Sequence, residues 1–217
     1  MGVTILQPYS IKNKTGSQVI EILTKRLISL GAQPSGQFLV DCETYIPQMG
    51  PTKTVHIFHN SEQPASVFSI LDTGAKQIPL ITDGLFDLLM LKMTPAYITK
   101  KPIKIESKGP RFEYGDFLIK LGIVTMSQNF KGVLIEVEYR PCLIASQCWE
   151  LMREFLQGFL GSSVSNKIPP YFAAPSIMNA NVMKEFEIYQ AMDTINQYLE
   201  HFTNYRKQTT TAISGRP

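Results

Sequence analysis

The sequence predicts an α+β fold, mainly antiparallel β: an open or closed β-barrel of about eight or nine strands with flanking helices. Three observations carry this. The first is the stretch Arg111 to Tyr139, which reads as strands joined by a polar connection. The second is a series of short apolar runs, Gly36–Ile46, Thr54–His59, Ala65–Leu71 and Gln77–Ile81, divided by Pro-, Gly- and Asn-containing turns. Strands at such short, regular spacing suggest a meander in a barrel or sandwich. The third is a small set of segments whose apolar residues recur at helical spacing. A sheet of this size tends to curl or close, which hides its edges.

Taken in order, Val3 to Leu6 is a short apolar start that suits a strand. Thr15-Gly16-Ser17-Gln18 is a capping box, and Val19, Ile20, Leu23, Leu27 and Leu30 follow at helical spacing before Gly31 as C-terminal cap. After the meander, Asp83 caps an apolar run to Leu91 that predicts a short, mostly buried helix stopped before Pro95. Tyr97 to Ser107 resumes strand. In Phe117–Val124 the interior Gly122 marks a bulge or a close backbone approach. Met126 to Gly132 is the polar connection, with Asn129 and Gly132 as turn residues. Val133, Ile135, Val137 and Tyr139 then alternate with Glu136 and Glu138, which predicts one buried face and one wet face. Cys142 to Gly161 forms a second long helix with Cys148, Leu151, Met152, Phe155 and Phe159 on one stripe. A Pro-rich linker, 162–192, leads to a third helix over about 193–207, and 208–217 reads as a disordered tail. Residues 1–207 are thus expected to form a single barrel domain.

The 217 residues are 44% hydrophobic and 18% charged, the balance of a folded chain with one sizeable core. A net charge of +3 permits an acidic partner without demanding nucleic acid. Three cysteines, an odd and sparse count, fit free thiols in a reducing compartment. No signal peptide, membrane span, P-loop, dinucleotide fingerprint or nucleophile elbow is read from the sequence, so an intracellular location is expected.

Four constellations invite a chemical reading. Glu136-x-Glu138-x-Arg140 has the spacing of the carboxylates that hold a divalent metal in triphosphate tunnel enzymes. The competing reading places these charges on the outside of an apolar barrel, which is the commoner pattern. His56 and His59 lie three apart, so on a strand they face opposite sides and suit joint ligation poorly. Lys100, Lys101, Lys104, Lys108 and Arg111, with Tyr97, Phe112 and Tyr114 among them, form the densest basic patch and a candidate nucleic-acid contact. Tyr198, Phe202 and Tyr205 on the last helix are either core or anchors for a partner.

Read as blocks, the chain resembles the family of Mediator complex subunit 20, a head-module subunit also described as TBP-related-factor-proximal. The matching stretches are GQFLVDCETYI from Gly36, HNSEQPASVFSILD from His59, FDLLMLKM from Phe86, KIESKGPRFEYGDFLIKLG from Lys104, FKGVLIEVEY from Phe130, CWELMREFLQGFLG from Cys148 and YLEHFTNYRK from Tyr198. Residues 162–192 match loosely, and the tail is threonine-rich where animal relatives are glutamine-rich. The resemblance implies an antiparallel barrel and a nuclear, non-enzymatic coactivator without cofactors. It implies a direct heterodimer with Mediator subunit 18, whose fold is similar, and contact with other head subunits. Through them it implies indirect contact with the RNA polymerase II machinery. Neither a small-molecule substrate nor a membrane enters that picture.

Overall fold

The computed structural model describes residues 2–11, 13–50, 53–172 and 188–213. Residues 173–187, within the expected linker, and 214–217, in the expected tail, lie outside the described set, as do the side chains of Lys100 and Lys101. The described elements run β1 (Val3–Tyr9), α1 (Gly16–Ser29), β2 (Gln33–Pro47), β3 (Thr54–Asn60), β4 (Val67–Asp72), β5 (Gln77–Thr82), α2 (Leu85–Lys92), β6 (Tyr97–Tyr114), β7 (Phe117–Met126), β8 (Asn129–Tyr139), α3 (Ala145–Leu160) and α4 (Ala191–Ile213). The strands form one sheet in the order β1-β8-β7-β6-β2-β3-β4-β5, antiparallel throughout. It is the expected α+β class, and the barrel is open: β1 and β5 end the sheet and do not pair.

Helix α1 begins where its capping box predicts. Thr15 Oγ1 accepts from the Gln18 amide, and the Gln18 side chain accepts from Thr15 N–H. Gly31, at φ +97°, ends the helix in a conformation that favours glycine. Val19, Leu23 and Leu27 face the sheet, while Leu30 is exposed. Helices α1 and α3 together cover one face of β1, β7 and β8, in a core built on Val3, Ile5, Ile119, Leu121, Val133, Ile135 and Val137. The buried stripe of α3 runs through Cys148, Trp149, Met152, Leu156 and Phe159. Leu151, expected on it, is exposed; Trp149 is buried in its place and packs against Phe172.

The opposite face of the sheet is also covered. Leu6, Leu134, Val124, Ile105, Phe38, Val40, Phe58, Phe68 and Ile70 line it from β1 across to β4, and α4 lies over them. This corrects the expected wet face of β8: Glu136 is buried because α4 occupies the side that alternation had assigned to solvent. Helix α4 also continues past Lys207 to Ile213. The β7–β8 hairpin turns at Ser127 and Gln128, which take positive φ, so Asn129 and Gly132 belong to β8 and not to the turn. Gly122 is needed for close approach: a Cβ there would collide with Ser107 and lie 3.0 Å from the Leu134 carbonyl.

Candidate partner-binding surface

The two ends of the sheet are treated differently. At the β1 end, α4 and the residues just before it supply side chains where a neighbouring strand would supply backbone. Gln197 Nε2 donates to Thr4 O at 2.8 Å, Leu6 N donates to Gln197 Oε1 at 3.0 Å, and the Tyr189 hydroxyl donates to Thr4 O at 3.0 Å. One amide side chain thus spans an acceptor and a donor of the edge, as a paired residue would. At the β5 end, among the described residues, no such cover exists. Strand β5 reads Gln77-Ile78-Pro79-Leu80-Ile81-Thr82 and is exposed along nearly its whole length. Strand β5 ends the sheet, and Pro79, which cannot donate to a ladder, is accommodated at that edge.

Helix α2 extends this surface. It was expected to be mostly buried, but only Met90 is, and Leu85, Leu88, Leu89 and Leu91 are 49–68% exposed. A helix this short has too few positions to bury all its leucines against β3 and β4. Met90 and Phe86 pack with Val55, Ile57 and Val67, and the remaining leucines point outward. Between residues 78 and 91 the chain presents Ile78, Leu80, Ile81, Leu85, Leu88, Leu89 and Leu91, all more than 40% exposed. Ile78 and Leu80 share the α2 side of the sheet, while Ile81 lies on the opposite face beside Phe68.

A polar cluster fixes α2 to the sheet. His59 Nδ1 lies 3.0 Å from Asp41, and Nε2 lies 3.1 Å from Asp87 on α2. Lys104 pairs with the other oxygen of Asp41 at 2.9 Å. The hydrogen bond to Asp41 raises the His59 pKa to about 9, with Asp87 adding to it against the opposing effect of burial. Burial alone would raise the pKa of Asp41, but its bonds to His59 and Lys104 hold it low. A histidine raised above its ordinary 6.5 stabilises the fold fully below that value and loses the contribution as pH rises through the folded pKa. Raising the pH through about 9 is therefore expected to loosen α2 alone. Methyl NMR signals of Met90 should broaden while those of Leu23 in α1 stay sharp, and His59→Gln should remove the transition. Met90 signals unchanged on passing from about pH 7 to about pH 10 would show that the charge does not hold the helix.

The residues singled out from sequence lie elsewhere. Tyr198, Phe202 and Tyr205 are buried inside this chain, at 1%, 1% and 8% exposure. Phe202 stacks on Phe58 and packs against Tyr198, and the Tyr205 hydroxyl donates to Val133 O. Their rings are core, because α4 must fill the face of the sheet that β8 leaves open. The basic patch is divided: Lys104 is paired with Asp41, Arg111 bonds Glu62 and Glu113, and Lys108 is exposed. Glu136 bonds Lys120 Nζ at 2.9 Å with one oxygen and accepts from the Tyr198 hydroxyl at 2.5 Å with the other. Glu138 accepts from the Gly2 amide, and Arg140 turns away to Glu113. The three charges do not converge. His56 lies beside Thr44, apart from His59. Among the described residues no group of three metal-ligating side chains forms, and Cys42, Cys142 and Cys148 are free thiols. Sequence reasoning missed β5 and α2 as a surface. The available signal was apolar residues at both parities of a proline-containing strand, followed by a short helix apolar on all sides.

An open antiparallel barrel, filled on one face by its own terminal helix, defines an α+β scaffold with an apolar edge left uncovered among the described residues. Comparison with known proteins places it more closely. Residues 1–203 match the family described as TATA-binding related factor (TRF) of subunit 20 of Mediator complex. "Mediator of RNA polymerase II transcription subunit 20" of Aedes aegypti is 73% identical over the whole of both chains. The Drosophila melanogaster protein of that name is 55% identical, over 97% of this chain and 88% of its own length. The Homo sapiens protein is 40% identical over 99% of each. Among solved structures, the PH1012 protein of Pyrococcus horikoshii superposes loosely, with a TM-score of 0.44 at 12% identity over 77% of this chain and 96% of that one. The chain belongs to the Mediator subunit 20 family.

Proposed function

We propose that this chain is a non-enzymatic transcriptional coactivator subunit of the Mediator head module. It pairs directly with Mediator subunit 18 in the nucleus and helps to bridge regulators to RNA polymerase II. The observation that carries the proposal is the uncovered apolar surface of β5 and α2 in a chain of this family. Such a surface is stabilised when a partner removes it from water, at about 25 cal/mol per Å². Seven large apolar side chains, all more than 40% exposed, lie there, and a standard interface takes about 800 Å² from each partner. The internal bonds of Glu136 speak against the triphosphate-tunnel alternative, because both of its oxygens are engaged within the chain. The pairing of Lys104 and Arg111 supports a protein partner over nucleic acid.

The test is co-expression with subunit 18 of the same organism. Wild-type chain should copurify in equal amounts with subunit 18, burying more than about 1,000 Å². Leu88→Asp and Leu89→Asp should each weaken pairing by more than about tenfold, as central anchors do, without lowering the melting temperature of the free chain. Undiminished copurification of the double variant would place the interface elsewhere.

A further inference from the structure

The register of β5 points to how that partner is held. Resting on the pairing just proposed, we infer that subunit 18 contributes an extended segment that adds to the free edge of β5 as a further strand. Hydrogen-bonded and non-bonded pairs alternate along an antiparallel ladder. Thr73 N donates to Lys76 O at 3.1 Å, which makes that closing pair a bonded one. Counting along the register, Leu71–Ile78, Ser69–Leu80 and Val67–Thr82 are bonded pairs, and Gln77, Pro79 and Ile81 direct their backbone groups away from β4. Pro79, which has no N–H to give, occupies one of the outward positions, in agreement with that count. The outer edge therefore offers donors at Gln77 and Ile81 and acceptors at Gln77, Pro79 and Ile81. Among the described residues nothing bonds to them, whereas the edge of β1 is bonded by Gln197 and Tyr189.

The flanking chemistry selects the occupant. Ile78 and Leu80 stand on the α2 side of the sheet, and Ile81 stands on the other beside Phe68, so an added strand must be apolar at both parities. Lys76, before β5, and Asp83, after it, are exposed and form no ion pair among the described residues. An antiparallel segment with a basic residue at its start and an acidic residue at its end complements them. The missing donor at Pro79 weakens the edge for unspecific pairing, and the leucines of α2 then select the correct segment.

The test uses the full chain reconstituted with subunit 18. Amide exchange at Gln77 and Ile81 should slow by more than about 100-fold in the complex, as for ladder amides, while Ile78 and Leu80 are already protected in the free chain. Ile81→Pro removes only an outward donor, so the β4–β5 ladder should persist. It should bind subunit 18 at least tenfold more weakly than Ile81→Ala, which loses the side chain and keeps the donor. Equal binding by the two variants, with Gln77 and Ile81 still exchanging freely in a wild-type complex, would overturn strand addition while leaving the pairing intact. No wild-type complex at all would overturn both.

Discussion

Replacing Glu136 with alanine is expected to destabilise this protein by about 3–5 kcal/mol, the usual consequence of removing one member of a buried ion pair. Glu136 and Lys120 face each other across the β8–β7 ladder, each almost without solvent exposure. At that burial, solvent contributes little to stabilising either charge. The Tyr198 hydroxyl completes the carboxylate's coordination from α4, and burial followed by the nearby Glu136 pushes its pKa well above the ordinary value, so it remains a donor. Removing the carboxylate takes away the ion-pair partner of the Lys120 ammonium, which lies over the Phe38 ring 5.7 Å from its centroid, and orphans the Tyr198 hydroxyl. In a chain of this size the loss corresponds to a fall in melting temperature of roughly 10 °C. The double variant Lys120→Met, Glu136→Leu should recover most of it, because the cost lies in the unpaired charge and not in the absence of a pair. Chemical denaturation distinguishes the cases; a loss below about 1 kcal/mol for Glu136→Ala would mean that water reaches the site.

The second large effect is expected at Phe202. Its ring is 1% exposed, stacks on Phe58 with centroids 6.2 Å apart, and packs against Tyr198 at 5.4 Å. Truncation to alanine removes the buried ring and leaves a cavity between α4 and β3, at a cost of about 3–5 kcal/mol. The same variant decides what the aromatics of α4 do. If they hold the helix to its own sheet, Phe202→Ala loses stability, and any loss of partner binding follows the loss of folded protein. A partner anchor would behave in reverse, with unchanged melting and a direct loss of affinity. Tyr205 adds a local constraint, since a Cβ on Gly132 would sit 2.7 Å from its ring; Gly132 is kept free of a side chain by the helix above it.

Much of the fold was legible because local rules suffice for it. The capping box at Thr15 and Gln18 and the terminating Gly31 concern residues within one turn of each other, so they act before any tertiary contact forms. The meander from β2 to β5 was legible from its turns, and the core face of β8 from its alternation. The candidate surface was not legible. That Leu85, Leu88, Leu89 and Leu91 are exposed depends on how much of α2 the sheet can cover, and no local pattern records it. Nor could spacing show that His59 would meet Asp41 and Asp87, which lie on β2 and α2.

By itself, then, the sequence determined the periods: which residues share a face, where helices start, and where turns divide the strands. Only the tertiary structure decided how many of those faces meet solvent. Alternation in β8 separates Val133, Ile135 and Val137 from Leu134 and Glu136 but says nothing about what lies over either set. The answer came from α4, whose first residue lies more than fifty positions further along the chain. A strand's period is a property of its own backbone, whereas burial is a property of everything packed against it.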